Sequence, residues 1–386
     1  MTGKAKQPAT IAAANGVAAG DRFGAVVQPL YLTSTFAFAG YDKTQGYDYS
    51  RSANPSRDLL AETLAKLEGG AGAVITASGM AAVDLVLSQL GPDDLVIAPH
   101  DCYGGTYRLL EARRDRGHFD VAFIDQGDDA AMAAALAGAP ALVFVETPSN
   151  PLMRVVDVRR IAARAKAAGA KVAVDNTFLS PALQQPISLG ADFVVHSTTK
   201  FINGHSDVVG GAVIAADAQD LAALAHWANV TGAIGAPFDS YMTLRGVRTL
   251  FVRIAQQQAN ALAVATFLRA QPQVGAVYYP GLADHPGHAI AAAQQSGFGA
   301  MLSFELRGGP AAVRQFVEAV EVFTLAESLG GVESLVAHPA TMTHAAMGAE
   351  ARAAAGIGDG LLRLSVGLED ENDLIGGLAA GLGAIA

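Results

Sequence analysis

Three segments of the sequence each follow an apolar run and carry side chains that can do chemistry. In one of them Lys200 comes after two hydroxyl residues, Ser197 and Thr199, and a glycine-containing loop follows it. An amine in this setting can condense with an aldehyde while the neighbouring hydroxyls bind a phosphate group. A surface lysine beside a loop is the alternative, so the other two segments decide between the interpretations.

The segment before it along the chain places Asp175 at the end of an apolar run. A carboxylate at the end of a buried strand is costly unless it has a partner. A protonated pyridine nitrogen is one such partner, and the carboxylate would keep that ring protonated as an electron sink. Helix capping or an ordinary ion pair is the alternative for Asp175 taken alone.

The earliest segment is Ser78, Gly79 and Met80, where an apolar run passes into a helical pattern. The free N–H groups and the positive dipole end at such a turn favour a phosphate, although a tight turn that needs glycine has the same pattern. Parallel strands bring their carboxyl ends to one edge of a sheet. A phosphate turn, an aspartate and a lysine in this order are therefore more specific together than separately.

The elements that must position these residues are short apolar runs alternating with alanine-rich helical stretches. Val/Ile-rich runs without strict alternation are typical of a parallel sheet covered on both faces. We predict strands at 73–76, 95–98, 121–124, 142–145, 172–174 and 193–195, and a helix over 158–168 that ends at Gly169. Strand–helix repetition predicts the α/β class with a mostly parallel, doubly wound sheet.

The change of pattern along the chain predicts three parts. Residues 1–60 lack a clear period and are predicted to be an irregular arm or binding loop. Residues 61–250 are predicted to form the large domain. Residues 251–386, with a long helix over 252–268 and strands over 301–306 and 361–366, are predicted to form a smaller α+β domain.

Composition excludes several classes of function. A formal charge of −10 argues against binding to nucleic acid, whose phosphates demand a basic surface. The basic residues are scattered, and no apolar stretch is long enough to span a bilayer or to form the core of a signal peptide. Cys102 is the single cysteine, which excludes an intrachain disulfide and a cysteine-rich metal site and favours the cytoplasm. His338 and His344 lack the spacing of a zinc site, so we expect no metal.

Over essentially its whole length the chain resembles the Cys/Met-metabolism family of pyridoxal-phosphate enzymes. The markers are the segments 47–51, 98–105, 146–152, 174–178, 197–200 and 325–331. The resemblance implies the aminotransferase-type fold (fold type I), pyridoxal 5′-phosphate as the cofactor and small-molecule amino acids as substrates. It also implies a homotetramer built as two dimers, with each active site shared between subunits.

The resemblance further implies a role for each cofactor-site residue. Lys200 would carry the cofactor, Asp175 would bind the pyridine nitrogen, and Tyr103 would stack on the ring and help in proton transfer. The phosphate would be held by Ser78, Gly79, Met80, Ser197 and Thr199, and by Tyr49 and Arg51 of a neighbouring subunit. For Arg51 alone, a solvated loop charge is the alternative.

Six residues are the candidates for binding substrate. By the resemblance, Arg363 would bind the α-carboxylate with help from Asn150 and Ser328, with a structural salt bridge as the alternative for Arg363. Arg108 would hold the distal carboxylate of an acylated substrate. Asp48 and Glu327 would receive the amino group of the incoming amino acid or orient Lys200.

The markers, Glu327 above all, imply a reaction at the γ-carbon rather than the β-carbon. The expected reaction joins O-succinyl-L-homoserine and L-cysteine to give L-cystathionine and succinate, a step of transsulfuration. Two alternatives stay open, namely γ-cleavage of cystathionine to cysteine, 2-oxobutyrate and ammonia, and sulfhydrylation of an O-acylhomoserine.

Overall fold

Two β-sheets with helices packed on them make up the part of the chain that the computed structural model describes, residues 6–345, 348, 350, 352 and 355–385. The strands of the larger sheet are β1 Gly72–Thr76, β2 Leu95–Pro99, β3 Asp120–Ile124, β4 Leu142–Glu146, β5 Lys171–Asp175, β6 Phe193–His196 and β7 Gly211–Ala215. Their spatial order is β1-β7-β6-β5-β4-β2-β3.

All six predicted strands belong to this sheet, each extended by one or two residues. Neighbouring strands are parallel except at β7, which is antiparallel to both β1 and β6. The α/β class with a mostly parallel sheet is therefore confirmed. The buried strand β7 was not predicted, because it follows β6 through a loop and so falls outside the strand–helix alternation.

The helices in the described residues are α1 Pro8–Ala14, α2 Pro55–Glu68, α3 Gly79–Leu87, α4 Gly104–Asp115, α5 Asp129–Leu136, α6 Val158–Ala167, α7 Ser180–Leu183, α8 Ala218–Thr231, α9 Pro237–Val247, α10 Leu250–Arg269, α11 His288–Gln294, α12 Gly309–Ala319 and α13 Glu371–Gly383. Leu64 of α2 packs with Val194 on one face of the larger sheet, and Val83 of α3 packs with Val195 on the other. Because successive strand residues point to opposite faces, helices on both sides account for the continuous apolar runs.

Two helix predictions need correction. The first 60 residues are not irregular throughout, since α1 lies within them and α2 begins at Pro55, capped by the Asn54 side chain, which accepts from Ser56 N at 3.0 Å. The helix predicted over 158–168 ends at Ala167, and the positive φ of Gly169, +84°, comes just after its C-cap residue.

The smaller sheet is formed by β8 Val274–Tyr278, β9 Met301–Leu306, β10 Thr324–Leu325, β11 Leu335–Ala337 and β12 Leu361–Ser365, in the order β10-β11-β12-β9-β8. It is mainly antiparallel, and α10 packs against it. This agrees with the α+β character expected after residue 250, while the boundaries of the three parts stay predictions. No helix among the described residues has both the length and the apolar character needed to cross a membrane.

Candidate active site

Lys200 lies just beyond β6 and meets the loop that follows β10. Its Nζ donates a hydrogen bond to Ser328 Oγ at 2.7 Å. Burial and, to a smaller extent, the charge of Arg363 lower the pKa of Lys200 from 10.5 to about 8, while the charge of Glu327 opposes the shift. A partly buried amine with this pKa is unprotonated more often than an ordinary lysine at neutral pH, as a nucleophile or a base requires.

Arg363 projects from the middle of β12 and is buried. Its Nη1 donates to Asn150 Oδ1 and its Nη2 to the Ser328 carbonyl, both at 2.9 Å, whereas its Nε is buried without a hydrogen-bond partner among the described residues. Burial lowers the pKa of Arg363 to about 10. These partners are neutral, so a bound carboxylate would supply the missing negative charge.

Two carboxylates stand side by side at the carboxyl edge of the larger sheet. Glu146 ends β4 and Asp175 ends β5, and the two are register partners. In a parallel pair such partners point to the same face. Burial raises the pKa of both groups, and the charge of Asp175 raises that of Glu146 further. An ionised Asp175, which accepts from Thr177 N at 2.9 Å, would be stabilised by a cation such as a pyridinium.

Glu146 is a site residue to which the sequence analysis gave no role. It was recognised only as the first residue of the 146–152 marker, although it ends a predicted strand just as Asp175 does. Its Oε2 accepts from Tyr103 N at 2.8 Å and its Oε1 from Asn150 N at 3.2 Å. The position of a carboxylate after a buried strand was the signal that would have identified it.

Tyr103 immediately precedes α4, and its side chain is 41% exposed. A Cβ atom on Gly105 would lie 2.5 Å from the Tyr103 ring and 2.9 Å from Met80 Sδ, so the ring needs a glycine there. The Tyr103 ring and Met80 therefore both lie beside Gly105. An aromatic ring in this position can stack on a flat cofactor.

The predicted phosphate turn lies between β1 and α3. Ser78 caps α3 by accepting from Ala81 N at 3.1 Å. A Cβ atom on Gly79 would lie 2.7 Å from Ser197 Cβ, so the two segments approach each other because residue 79 is glycine. The Thr199 hydroxyl is less available to bind a phosphate, because it is already bonded to the backbone of Gly210. It accepts from the Gly210 N–H at 3.0 Å and donates to the Gly210 carbonyl at 3.2 Å.

The arm residues lie apart from the Lys200 cluster within one chain. Tyr49 and Arg51 line a surface cavity with Arg57 and Gly235, and the Arg51 guanidinium lies 5.8 Å from the centroid of the Tyr49 ring. Asp48 is exposed and accepts a hydrogen bond from Tyr49 N at 2.6 Å. The contribution of these three residues to the catalytic site of a second copy of the chain stays a prediction.

The two remaining candidates for binding substrate have exposed side chains. Arg108 is exposed on the first turns of α4, and one of its Nη atoms would be 3.9 Å from a Cβ atom on Gly104. Glu327 is exposed, and its charge acts on both Lys200 and Arg363. Both are free to contact a ligand that enters from solvent.

The residues present fit pyridoxal phosphate. Lys200 offers an amine of lowered pKa, Asp175 offers a carboxylate at the sheet edge, and the turn at Gly79 offers backbone N–H groups at the start of α3. An aldehyde needs a nucleophilic amine, a protonated pyridine nitrogen needs an acceptor, and a phosphate needs N–H donors.

Comparison with known proteins also indicates a pyridoxal-phosphate enzyme. The model of the Cys/Met metabolism PLP-dependent enzyme family matches residues 9–383. A relative named cystathionine gamma-synthase, from Escherichia coli K12, is 55% identical over 380 residues, 98% of each chain. A relative named cystathionine beta-lyase, from Lactococcus lactis, is 46% identical over 360 residues, 93% of this chain and 94% of the relative.

Among solved structures, the chain is similar to a cystathionine gamma synthase from Xanthomonas oryzae in complex with aminoacrylate and cysteine. The two are 57% identical with a TM-score of 0.97, and 98% of each chain is covered. This confirms the predicted fold and the resemblance on which the cofactor assignment rests. The chain belongs to the Cys/Met metabolism family of pyridoxal-phosphate-dependent enzymes.

Proposed function

We propose that this enzyme replaces the acyl group on the γ-carbon of O-succinyl-L-homoserine with the thiol of L-cysteine, giving L-cystathionine and succinate. The observation that carries the proposal is the pairing of a buried Arg363, which lacks an anionic partner in its hydrogen bonds, with the Lys200 amine through Ser328. The names of the relatives from Escherichia coli and Xanthomonas oryzae support it.

The residues that would hold the cofactor are those whose side chains or backbone groups match its chemical groups. Lys200 would bind its aldehyde carbon, Asp175 its pyridine nitrogen, Tyr103 its ring face, and Ser78, Gly79, Met80 and Ser197 its phosphate. The Thr199 hydroxyl would have to give up its bonds to Gly210 to join them. When bound, pyridoxal phosphate supplies an electron sink for negative charge that develops on the substrate carbons.

In the proposed reaction Lys200 moves the protons. Once the substrate amine has taken its place, the Lys200 amine is free to take the proton from the α-carbon. It would give that proton up to the electron sink that the cofactor supplies and, unprotonated again, would take a proton from the β-carbon as succinate leaves the γ-carbon. Its pKa of about 8 suits both directions of transfer near neutral pH. The hydrogen bond to Ser328 Oγ holds Nζ within reach, and proton return to the same carbons completes the replacement.

The other side chains hold the substrate. Arg363 and Asn150 would bind the α-carboxylate, because the guanidinium already donates to Asn150 and its hydrogen-bond partners are both neutral. Arg108 would attract the succinyl carboxylate of the leaving group. Glu327, together with Asp48 from a second subunit, would receive the amino group of cysteine.

We also propose that the active site is shared between subunits of a homotetramer, a dimer of dimers in the cytoplasm. The support is an arm whose large apolar side chains are exposed in one chain, among them Phe23, Val26, Val27, Leu32, Phe38 and Tyr41. An exposed apolar segment of this kind is typical of a protein–protein interface. Tyr49 and Arg51 would then reach the phosphate of the neighbouring site.

Product analysis with purified enzyme tests the reaction. The enzyme is incubated with O-succinyl-, O-acetyl- or O-phosphohomoserine, each with cysteine, with sulfide and without a thiol, and separately with cystathionine. The proposal expects cystathionine and succinate from the first substrate with cysteine. Formation of homocysteine with sulfide as the main product would indicate a sulfhydrylase. Consumption of cystathionine to cysteine and 2-oxobutyrate would indicate a γ-lyase, and its consumption to homocysteine and pyruvate a β-lyase.

A further inference from the structure

The carboxylate of Glu146 is shared between two separate parts of the catalytic site. Oε2 accepts from the backbone N–H of Tyr103, which immediately precedes α4, and Oε1 accepts from the backbone N–H of Asn150. Glu146 is 8% exposed, so water competes little for these bonds. The buried Glu146 carboxylate thus accepts one hydrogen bond from Tyr103 and one from Asn150, and so links the residue proposed to stack on the cofactor with a residue proposed to bind the substrate carboxylate.

The contacts continue from Asn150 to the catalytic lysine. Asn150 Oδ1 accepts from Arg363 Nη1 at 2.9 Å, and Arg363 Nη2 donates to the carbonyl of Ser328 at 2.9 Å. The Ser328 hydroxyl accepts from Lys200 Nζ at 2.7 Å. These hydrogen bonds form a connected network. Glu146 lies at one end of it and Lys200 at the other, and Arg363 and Ser328 connect them from the side of the smaller sheet.

We propose that Glu146 is a positioning residue that sets the distance between the cofactor ring face, through Tyr103, and the substrate carboxylate, through Asn150 and Arg363. The inference rests on the proposed roles of Tyr103 and Arg363. In this role Glu146 acts through Tyr103 and Asn150, whose backbone N–H groups donate to its two oxygen atoms.

A carboxylate is the side chain that suits this task. It has only acceptors, so both oxygens can receive an N–H. Glutamine has the same shape but offers one acceptor and one donor, and its NH₂ group would oppose either Tyr103 N or Asn150 N. The substitution Glu146→Gln should therefore break one of the two bonds while keeping the volume of the buried side chain.

The experiment compares Glu146→Gln and Glu146→Ala with Asp220→Asn. Asp220 of α8 is also buried, but it pairs with Lys171 at the start of β5, the opposite end of the strand from Asp175, and its Oδ1 accepts from Lys171 Nζ at 2.6 Å. Four quantities are measured for each protein. They are the Kd of pyridoxal phosphate for the cofactor-free enzyme, the KM for the acylhomoserine, kcat, and the thermal unfolding midpoint.

For Glu146→Gln we expect the KM and the cofactor Kd each to rise about tenfold, the effect of losing one charge-assisted hydrogen bond. In Asp220→Asn only the unfolding midpoint should fall. A double variant with Asn150→Ala should raise KM by less than the product of the single effects, because both act on one contact chain.

The inference is overturned if both Glu146 variants keep the KM and the cofactor Kd of the parent enzyme. It is equally overturned if Asp220→Asn raises both constants as much, since the effect would then be general destabilisation. Should Glu146→Ala fail to fold, Glu146→Gln decides. If the parent enzyme makes no cystathionine, the proposed function fails separately, and the cofactor Kd still tests Glu146.

Discussion

The Lys200 amine and the Ser328 hydroxyl are joined by a hydrogen bond of 2.7 Å, although the two residues come from the loops of different sheets. Ser328 has a φ of +86°, in the left-handed region that a serine rarely adopts. This backbone conformation is held in part by Arg363, which donates to the Ser328 carbonyl. Conformational strain of this kind concentrates at functional sites, where the surrounding structure fixes it.

The first prediction concerns the reactivity of Lys200 in the cofactor-free enzyme. Burial and Arg363 disfavour the charged amine and lower its pKa to about 8. At pH 7.5 about a quarter of the Lys200 amines are then unprotonated, against about a thousandth for an ordinary lysine. Pulse labelling with an amine reagent, followed by peptide mass analysis, should show Lys200 labelling rise through about pH 8.

Exposed Lys66 of α2 is the internal reference for that labelling, and Lys200→Ala identifies the labelled peptide. A Lys200 curve that rises only above about pH 10 would contradict the lowered pKa.

The second prediction separates stability from binding at Arg363. In Arg363→Met the loss of a buried charge without an anionic hydrogen-bond partner is offset by the loss of its bonds to Asn150 and Ser328, so the unfolding free energy of the cofactor-free enzyme should change by less than about 1 kcal/mol. The KM for the acylhomoserine should increase at least about thirtyfold, because the α-carboxylate loses its cation. Urea unfolding and steady-state kinetics check the two effects.

Arg253→Met is the matched control for that stability effect. Arg253 is also buried, but it donates to backbone carbonyls, to Phe201 O at 2.8 Å and to Gly246 O at 3.0 Å. Its four hydrogen bonds exceed the two that Arg363 makes, so its removal leaves more acceptors unpaired and this variant should lose more stability than Arg363→Met. Equal losses of stability in both variants would contradict the view that Arg363 awaits an anion.

The third prediction concerns acid stability and His344. Its Nε2 lies 3.1 Å from Asn150 O, and burial lowers its pKa from 6.5 to about 4. The folded state therefore favours the neutral ring. Stability from this group is complete above about pH 6.5 and is lost as the pH falls towards 4, because the unfolded chain takes up the proton first.

Between pH 7.5 and 5 the parent should lose about 2 kcal/mol more unfolding free energy than His344→Gln. Urea unfolding of both cofactor-free proteins at the two pH values measures the difference. Parallel losses in the two proteins would show that His344 takes up its proton at the same pH in the folded and unfolded chains, and would contradict the lowered pKa.

The fourth prediction tests the shared active site. Lys200→Ala and Arg51→Ala are each expected to be nearly inactive. After joint unfolding and refolding of equal amounts, hybrid dimers should contain one site with neither substitution, so about a quarter of the parent activity should return. The same mixing of Lys200→Ala with Asp175→Ala is the control. It should restore no activity, because both residues belong to one chain's site.

Much of the fold followed from local patterns in the sequence. Six apolar runs predicted six strands of the larger sheet, because buried parallel strands need apolar residues on both faces. Asp175 and Lys200 stood out because polar residues directly after such runs lie at the edge where ligands bind. Strand β7 escaped prediction because it follows another strand without an intervening helix.

The sequence by itself determined the chemical types at the site: a lysine, an aspartate and a glycine turn after successive buried strands, and an arginine between apolar residues of a later strand. Only the tertiary structure decided which of them touch. Ser328 reaches Lys200, and Glu146 holds both Tyr103 and Asn150, through contacts between residues distant along the chain. Local periodicity carries no information about such pairs, because packing of the two sheets and burial set their distances and their pKa values.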